Sequence, residues 1–281
     1  MGEIVSSAIS FKVIPFLIQL LFYFLGATSN LDDIKQLLNE KKSFIYGLIL
    51  QIILLPLIGI LSTRVFSNSI FAVAALLVLI VPGGHVSGLL THIKKGNVSL
   101  SVALTSIASV LSPVTIVLWL NIAALDKESL TINFLETFTQ LVVLVLLPFT
   151  IGIYAVIKKP KFAEKSTSRL DNFLRISVLV LTFTGPFEIR EIMVDNFFEG
   201  TKIAIFSLAL IVFLNYFLSM AIKIKKIDAA TITIEGLCQN FPIVIVLGLT
   251  FNMPEVIVYG LIYYLVSMIF AVTYTFTKKI I

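Results

Sequence analysis

Apolar residues in this chain come in long runs, and polar and charged residues collect in the short stretches between them. A helix needs about 20 mainly apolar residues to cross a bilayer. Nine runs are of that order, roughly at 11–27, 43–63, 70–93, 97–121, 133–157, 169–192, 201–223, 228–251 and 254–277. The pattern predicts an all-α, polytopic membrane protein with nine transmembrane helices in a single domain, 1–281. Three runs carry helix breakers in mid-run: Pro82-Gly83-Gly84 in the third, Ser112-Pro113 in the fourth, and Gly236 with Pro242 in the eighth. The connecting stretches are too short for a soluble domain. The longest inner ones, 28–42 and 158–168, read as amphipathic connectors. In the first, Leu31, Ile34, Leu37 and Leu38 share a helical face, as in a helix lying at the interface; the alternative is an ordinary polar loop.

Composition agrees with the pattern. Hydrophobic residues make up 58% of the chain and charged residues 13%, with a mean hydropathy of +1.04. Soluble domains run at about 45–50% and about 25%. A net charge of +5 would suit nucleic acid, but the basic residues sit in clusters between the runs, as an orientation signal places them. With nine spans, sixteen Lys and Arg fall on one side and five on the other. The rich side is the cytoplasmic one, so the N-terminus is expected outside and the C-terminus inside. That orientation places Asn97-Val98-Ser99, a glycosylation pattern, in a cytoplasmic turn where the modification does not occur. The N-terminal run has no basic segment before it, so a cleaved signal peptide is not expected. The myristoylation pattern at Met1-Gly2-Glu3-Ile4-Val5-Ser6 is set aside on the same topology. Cys238 is the only cysteine, which excludes an intrachain disulfide and a cysteine-rich metal site.

The chemistry gathers around one residue. Glu235 is the only carboxylate placed well inside an apolar run, and a charge there is rarely left without a partner. No Lys or Arg lies at comparable depth, which leaves a transported ion or a proton as its partner. Gln239 follows four residues later, on the same helical face. Ser101 and Thr105 have that spacing on the fourth run, Ser87 follows the Pro82-Gly83-Gly84 break, and Gln51 precedes Pro56 on the second. Carboxylate, amide, hydroxyl and carbonyl oxygens suit a hard cation. Taken singly, Ser101, Thr105 and Gln51 also fit the ordinary role of bonding within and between membrane helices. His85, in the third-run break, is a candidate substrate donor or proton carrier, or a polar residue bonded to freed carbonyls. Trp119 and the tyrosines Tyr259, Tyr263 and Tyr264 read as interface belt or helix packing. The third and fourth runs, and the eighth and ninth, each pair a broken helix with a short turn and a second helix, entered from opposite sides. Inverted repeats with discontinuous helices meeting at the midplane mark secondary transporters.

The stretches Pro82-Gly83-Gly84-His85-Val86-Ser87-Gly88 and Lys95-Gly96-Asn97-Val98-Ser99-Leu100-Ser101-Val102-Ala103-Leu104-Thr105, with Glu235-Gly236-Leu237-Cys238-Gln239-Asn240, resemble the bile acid:sodium symporter family; Gln51 ahead of Pro56 is a third match. The resemblance implies a panel domain (11–27, 133–157, 169–192) and a core domain formed by the other six helices. The family's first of ten helices then has no counterpart, as in the animal carriers. It implies one or two bound sodium ions. The first would draw on Ser87, Ser101, Thr105 and Glu235, and the second on Gln51 and Gln239 with the carbonyls of Glu235, Gly236 and Cys238. The substrate is expected near the two breaks, at His85, Gly84 and Asn240, and at Ser267 on the last run. The family usually has Asn after the Ser of the first motif; Gly88 stands there, which removes one side-chain oxygen from the first site.

The resulting expectation is a sodium-coupled symporter of an organic anion, such as a bile acid, a sterol conjugate or a small carboxylic acid. It would sit in a plasma or bacterial inner membrane and work by alternating access. Two alternatives stay open: a proton-coupled or sodium-independent carrier on the same fold, and a non-transporting membrane sensor. No enzyme is expected, for want of a nucleophile–base set or metal cluster. A channel is disfavoured by the lack of a filter sequence.

Overall fold

In a computed structural model of the chain, residues 9–28, 41–84, 86–124 and 134–277 are described. His85, the connector at 28–42 beyond Thr28 and before Lys41, and the N-terminal Met1–Ser6 pattern lie outside the described residues. The described residues fold into helices: α1 (Ile9–Thr28), α2 (Lys41–Val65), α3 (Ala72–Leu79), α4 (Val86–Ile93), α5 (Val98–Ala124), α6 (Leu135–Lys158), α7 (Pro160–Glu188), α8 (Arg190–Ala221), α9 (Lys226–Leu237), α10 (Phe241–Thr250) and α11 (Pro254–Phe276). Six of them, α1, α2, α5, α6, α8 and α11, are long and apolar enough to cross a membrane. The runs at 70–93 and 228–251 instead hold two half-length helices each, α3 with α4 and α9 with α10.

Prolines decide where helices start, bend or continue. Pro160, Pro242 and Pro254 stand in the first turn of α7, α10 and α11, where a missing N–H leaves no bond unmade. In α2 and α6 a five-residue π-helical turn, Leu50–Leu54 and Val142–Leu146, precedes Pro56 and Pro148. The proline ring cannot donate to the carbonyl four residues back, and widening the previous turn absorbs the misfit. In α2 that freed carbonyl, Ile52 O, accepts from the Trp119 indole N–H at 2.7 Å. Trp119 is thus a bonded partner of the π-turn, a role more specific than the belt or packing expected of it.

Two sequence expectations need correction. Ser112-Pro113 does not break the fourth run, because α5 is continuous from Val98 to Ala124. The Ser109 carbonyl that Pro113 cannot serve accepts from the Ser112 hydroxyl at 2.8 Å, which repairs the ladder from within. Residues 160–168 are not a separate connector but the first turns of α7, with Lys159 alone outside a helix.

Three helices end alike. After α4, α8 and α10 the chain turns through a left-handed residue, Lys95 (φ 60°), Lys223 (φ 56°) and Asn252 (φ 50°). The N–H that follows each reaches back five residues: Gly96 to Thr91 O, Ile224 to Ser219 O, and Met253 to Gly248 O, all at 2.8 Å. These are Schellman ends, built here without glycine at the left-handed position.

Helices α1, α6 and α7 pack on one another, with α1 also against α10 and α6 against α5. Gly26 of α1 and Gly152 of α6 lie directly against the partner backbone, and Tyr23 exchanges a 2.7 Å hydrogen bond with Ser166 of α7. The remaining helices gather around α9, which touches α2, α4, α5, α8 and α11. On α2 the stripe Ile45, Ile49, Ile53, Leu57 and Leu61 is exposed, as a lipid-facing ridge requires, while Ser43, Tyr46, Leu50 and Gln51 point inward.

Candidate functional site

The two interrupted helix pairs cross where they are interrupted. Gly83 and Gln239 form an antiparallel bridge, in which Gly84 N–H donates to Cys238 O at 2.7 Å and Asn240 N–H to Pro82 O at 2.9 Å. Backbone groups released by two helix ends are thereby satisfied by each other, which a bilayer interior demands. The C-terminal ends of α3 and α9 and the N-terminal ends of α4 and α10 all converge here. The first pair favours cations and the second anions.

Glu235, in the last turn of α9, is fully buried beside the crossing. Its carboxylate accepts from Ser101 Oγ, from Thr105 Oγ1 at 2.9 Å and from Gln51 Nε2 at 3.1 Å. Three helices therefore converge on one carboxylate. α5 supplies two hydroxyls one turn apart, α2 supplies Gln51 from its π-turn, and α9 carries the acid itself. Ser87, at the start of α4, donates to Gly84 O at 2.7 Å and also lies beside the carboxylate. Gly83 is what lets the backbone come so near. A β-carbon there would stand 2.6 Å from Glu235 Oε2 and 3.1 Å from Gln51 Nε2. Along the chain Gly83 signals a helix break, and this steric role has no signature there.

The second group of expected ligands gathers at the end of α9, which stops at Leu237, so Gln239 lies in the crossing and not on one helical face with Glu235 as its spacing predicted. Gln239 Nε2 donates to Gly236 O at 2.7 Å, leaving that carbonyl one lone pair, and Cys238 is buried with its carbonyl facing Gly84. Gln51 Oε1 and Gln239 Oε1 are both buried without a hydrogen-bond partner. Buried acceptors are nearly always satisfied, so two unpartnered amide oxygens near a carboxylate fit a hard cation as the missing partner. This donor set is one that a sodium ion fits.

Of the expected substrate residues, Gly84 is part of the crossing and Asn240 caps α10. The Asn240 side-chain oxygen receives Ile243 N–H at 3.4 Å, and its Nδ2 is buried without a partner. Ser267 is buried in α11 and donates to Tyr264 O of its own helix. His85 lies outside the described residues. Gly88 sits beside Ser101: a β-carbon there would meet only Ser101 Oγ, at 3.9 Å.

Residues 15–191 match the model of the sodium bile acid symporter family. The chain is 33% identical over 135 residues to an uncharacterized sodium-dependent transporter of Bacillus subtilis, covering 48% of this chain and 41% of that protein. It is 33% identical over 131 residues to a probable chloroplastic sodium/metabolite cotransporter of Arabidopsis thaliana, covering 46% and 32%. It is 27% identical over 237 residues to the hepatic sodium/bile acid cotransporter of Rattus norvegicus, covering 81% and 64%. The matched stretches thus span less than two thirds of each relative's own length.

Proposed function

Because the chain belongs to the sodium bile acid symporter family, we propose that it is a sodium-coupled secondary transporter of an organic anion. The observation that carries the reading is two unpartnered buried oxygens, Gln51 Oε1, on the side chain bonded to the Glu235 carboxylate, and Gln239 Oε1, on the residue bridged to the neighbouring Gly83. A sodium ion there binds α2 to α9 and holds the crossing in one arrangement. A second ion at Ser87, Ser101, Thr105 and Glu235 has one side-chain ligand fewer than the family pattern, with Gly88 in the place of Asn. The N-terminal ends of α4 and α10, together with the unpartnered Asn240 Nδ2, present donors to the anion, with Gly84 between them as the close backbone approach of the crossing. Bile acids, sterol conjugates and small carboxylic acids are the substrate classes to screen.

On this reading the chain makes nine passes, counting α3 with α4 and α9 with α10 as one each, with the N-terminus outside. The α1, α6 and α7 group is the panel and the other helices are the core. Rocking of one against the other exposes the crossing to either side. Each sodium charge moved inward gains about 2.3 kcal/mol per 100 mV.

Uptake by the reconstituted protein tests this. Replacing sodium by potassium or choline abolishes uptake if the coupling is right, and unchanged uptake overturns it. Sodium-independent uptake driven by a pH gradient would assign Glu235 to proton exchange instead. A thermal-shift screen of organic anions, with and without sodium and beside Glu235→Ala, identifies the substrate class.

A further inference from the structure

The face of α9 that carries Glu235 carries a second buried acid. Asp228 lies seven residues earlier, two helical turns and about 10.5 Å along the same face. It is 1% exposed. Its Oδ2 accepts from Ser43 Oγ at 2.7 Å and its Oδ1 from Asn97 Nδ2 at 2.9 Å. Ser43 stands on α2, eight residues before Gln51. Asn97 caps α5, four and eight residues before Ser101 and Thr105, and its Oδ1 receives Leu100 N–H at 3.0 Å. Its own N–H donates to Thr231 Oγ1 of α9 at 2.9 Å. The same three helices are therefore tied twice, once through Asp228 and once through Glu235. One tie leaves a helix free to rotate and slide about the contact, whereas two ties on one face fix both its rotation and its axial position.

We propose that Asp228 is a positioning residue for the ion site, setting where the oxygens of Gln51, Ser101 and Thr105 stand relative to Glu235. The inference rests on the reading of Glu235 as part of a sodium site. Asp228 does not touch the ion. Its carboxylate, shared between Ser43 and Asn97, holds α2 and α5 in register on α9. This also gives Asn97 its role: the residue of the unused glycosylation pattern is the joint between the α5 cap and Asp228.

The test is sodium binding to the purified full chain, titrated directly by equilibrium binding of radiolabelled sodium, with the sodium-free melting temperature recorded separately. Asp228→Ala raises the half-saturating sodium concentration by about tenfold, the effect of weakening one charged hydrogen bond. The number of sodium ions bound at saturation is retained. Asp228→Asn, which keeps one acceptor and can donate to Ser43, stays within about threefold of the unsubstituted chain. A purely structural residue would lower the sodium-free melting temperature and leave the half-saturation unmoved, and that result overturns the proposal. So does an Asp228→Asn chain as weak for sodium as Asp228→Ala, which would assign the effect to charge. If Asp228→Ala does not fold, Ser43→Ala and Asn97→Ala each remove one of the two bonds. A severalfold rise in half-saturation in both supports the proposal, and none in either overturns it. Failure of the underlying reading looks different: the unsubstituted chain itself then binds no sodium.

Discussion

Gly83 stands so close to Glu235 that a single methyl group would lie 2.6 Å from the carboxylate oxygen Oε2. Gly83→Ala therefore displaces the carboxylate or opens the crossing. Hydrogen bonds to a charged group are worth about 1.5–3 kcal/mol, so displacing one weakens sodium binding by about ten- to a hundredfold. Sodium titration of thermal stability measures it. Gly84→Ala is expected to be worse, because its β-carbon meets the Gln239 backbone oxygen at 2.8 Å, and backbone yields less than a side chain.

Gly88 makes the opposite prediction. Its surroundings leave room for a side chain next to Ser101. Gly88→Asn restores an amide oxygen there and lowers the half-saturating sodium concentration by about tenfold, the worth of one added ligand at about 1.4 kcal/mol. Gly88→Ala fits equally well and leaves sodium binding unchanged. Comparing the two by direct sodium binding separates an added oxygen from added bulk.

The Trp119 indole serves the carbonyl that Pro56 cannot. Trp119→Phe leaves Ile52 O without that bond and destabilises the chain by about 1–3 kcal/mol. In a Pro56→Ala background the new N–H reaches the same carbonyl, so the tryptophan substitution loses much of its effect. A double-substitution cycle on melting temperature reads the coupling. Additive effects would show that the indole bond is incidental.

Sodium itself should stabilise the folded chain. At a hundred times its dissociation constant a ligand adds about 2.7 kcal/mol. The melting temperature rises with sodium and not with choline, and the response disappears in Glu235→Ala.

Much of this arrangement was legible along the chain, because a membrane leaves few reasons for polar residues at depth. Glu235, Gln51, Ser101 and Thr105 stood out as polar positions in apolar runs, and the structure brings all four into one hydrogen-bonded cluster. What was not legible depends on partners far apart in sequence. Ser112-Pro113 looks like a break until the Ser112 hydroxyl is seen replacing the lost donor. The π-turns before Pro56 and Pro148 have only those prolines as a signal. Asp228 sits at the edge of its run beside Lys225 and Lys226, where an acid attracts no notice; only the fold buries it against Ser43 and Asn97.

The antiparallel bridge between Gly83 and Gln239 has a mechanical consequence. Its two backbone hydrogen bonds join buried residues, and a buried polar group left unsatisfied costs several kcal/mol. The four half-helices are consequently pinned like crossed beams bolted at the middle. They can pivot as one frame, but they cannot be drawn apart to open a path between them. On the proposed reading, a transported solute goes around the bolt and not through it.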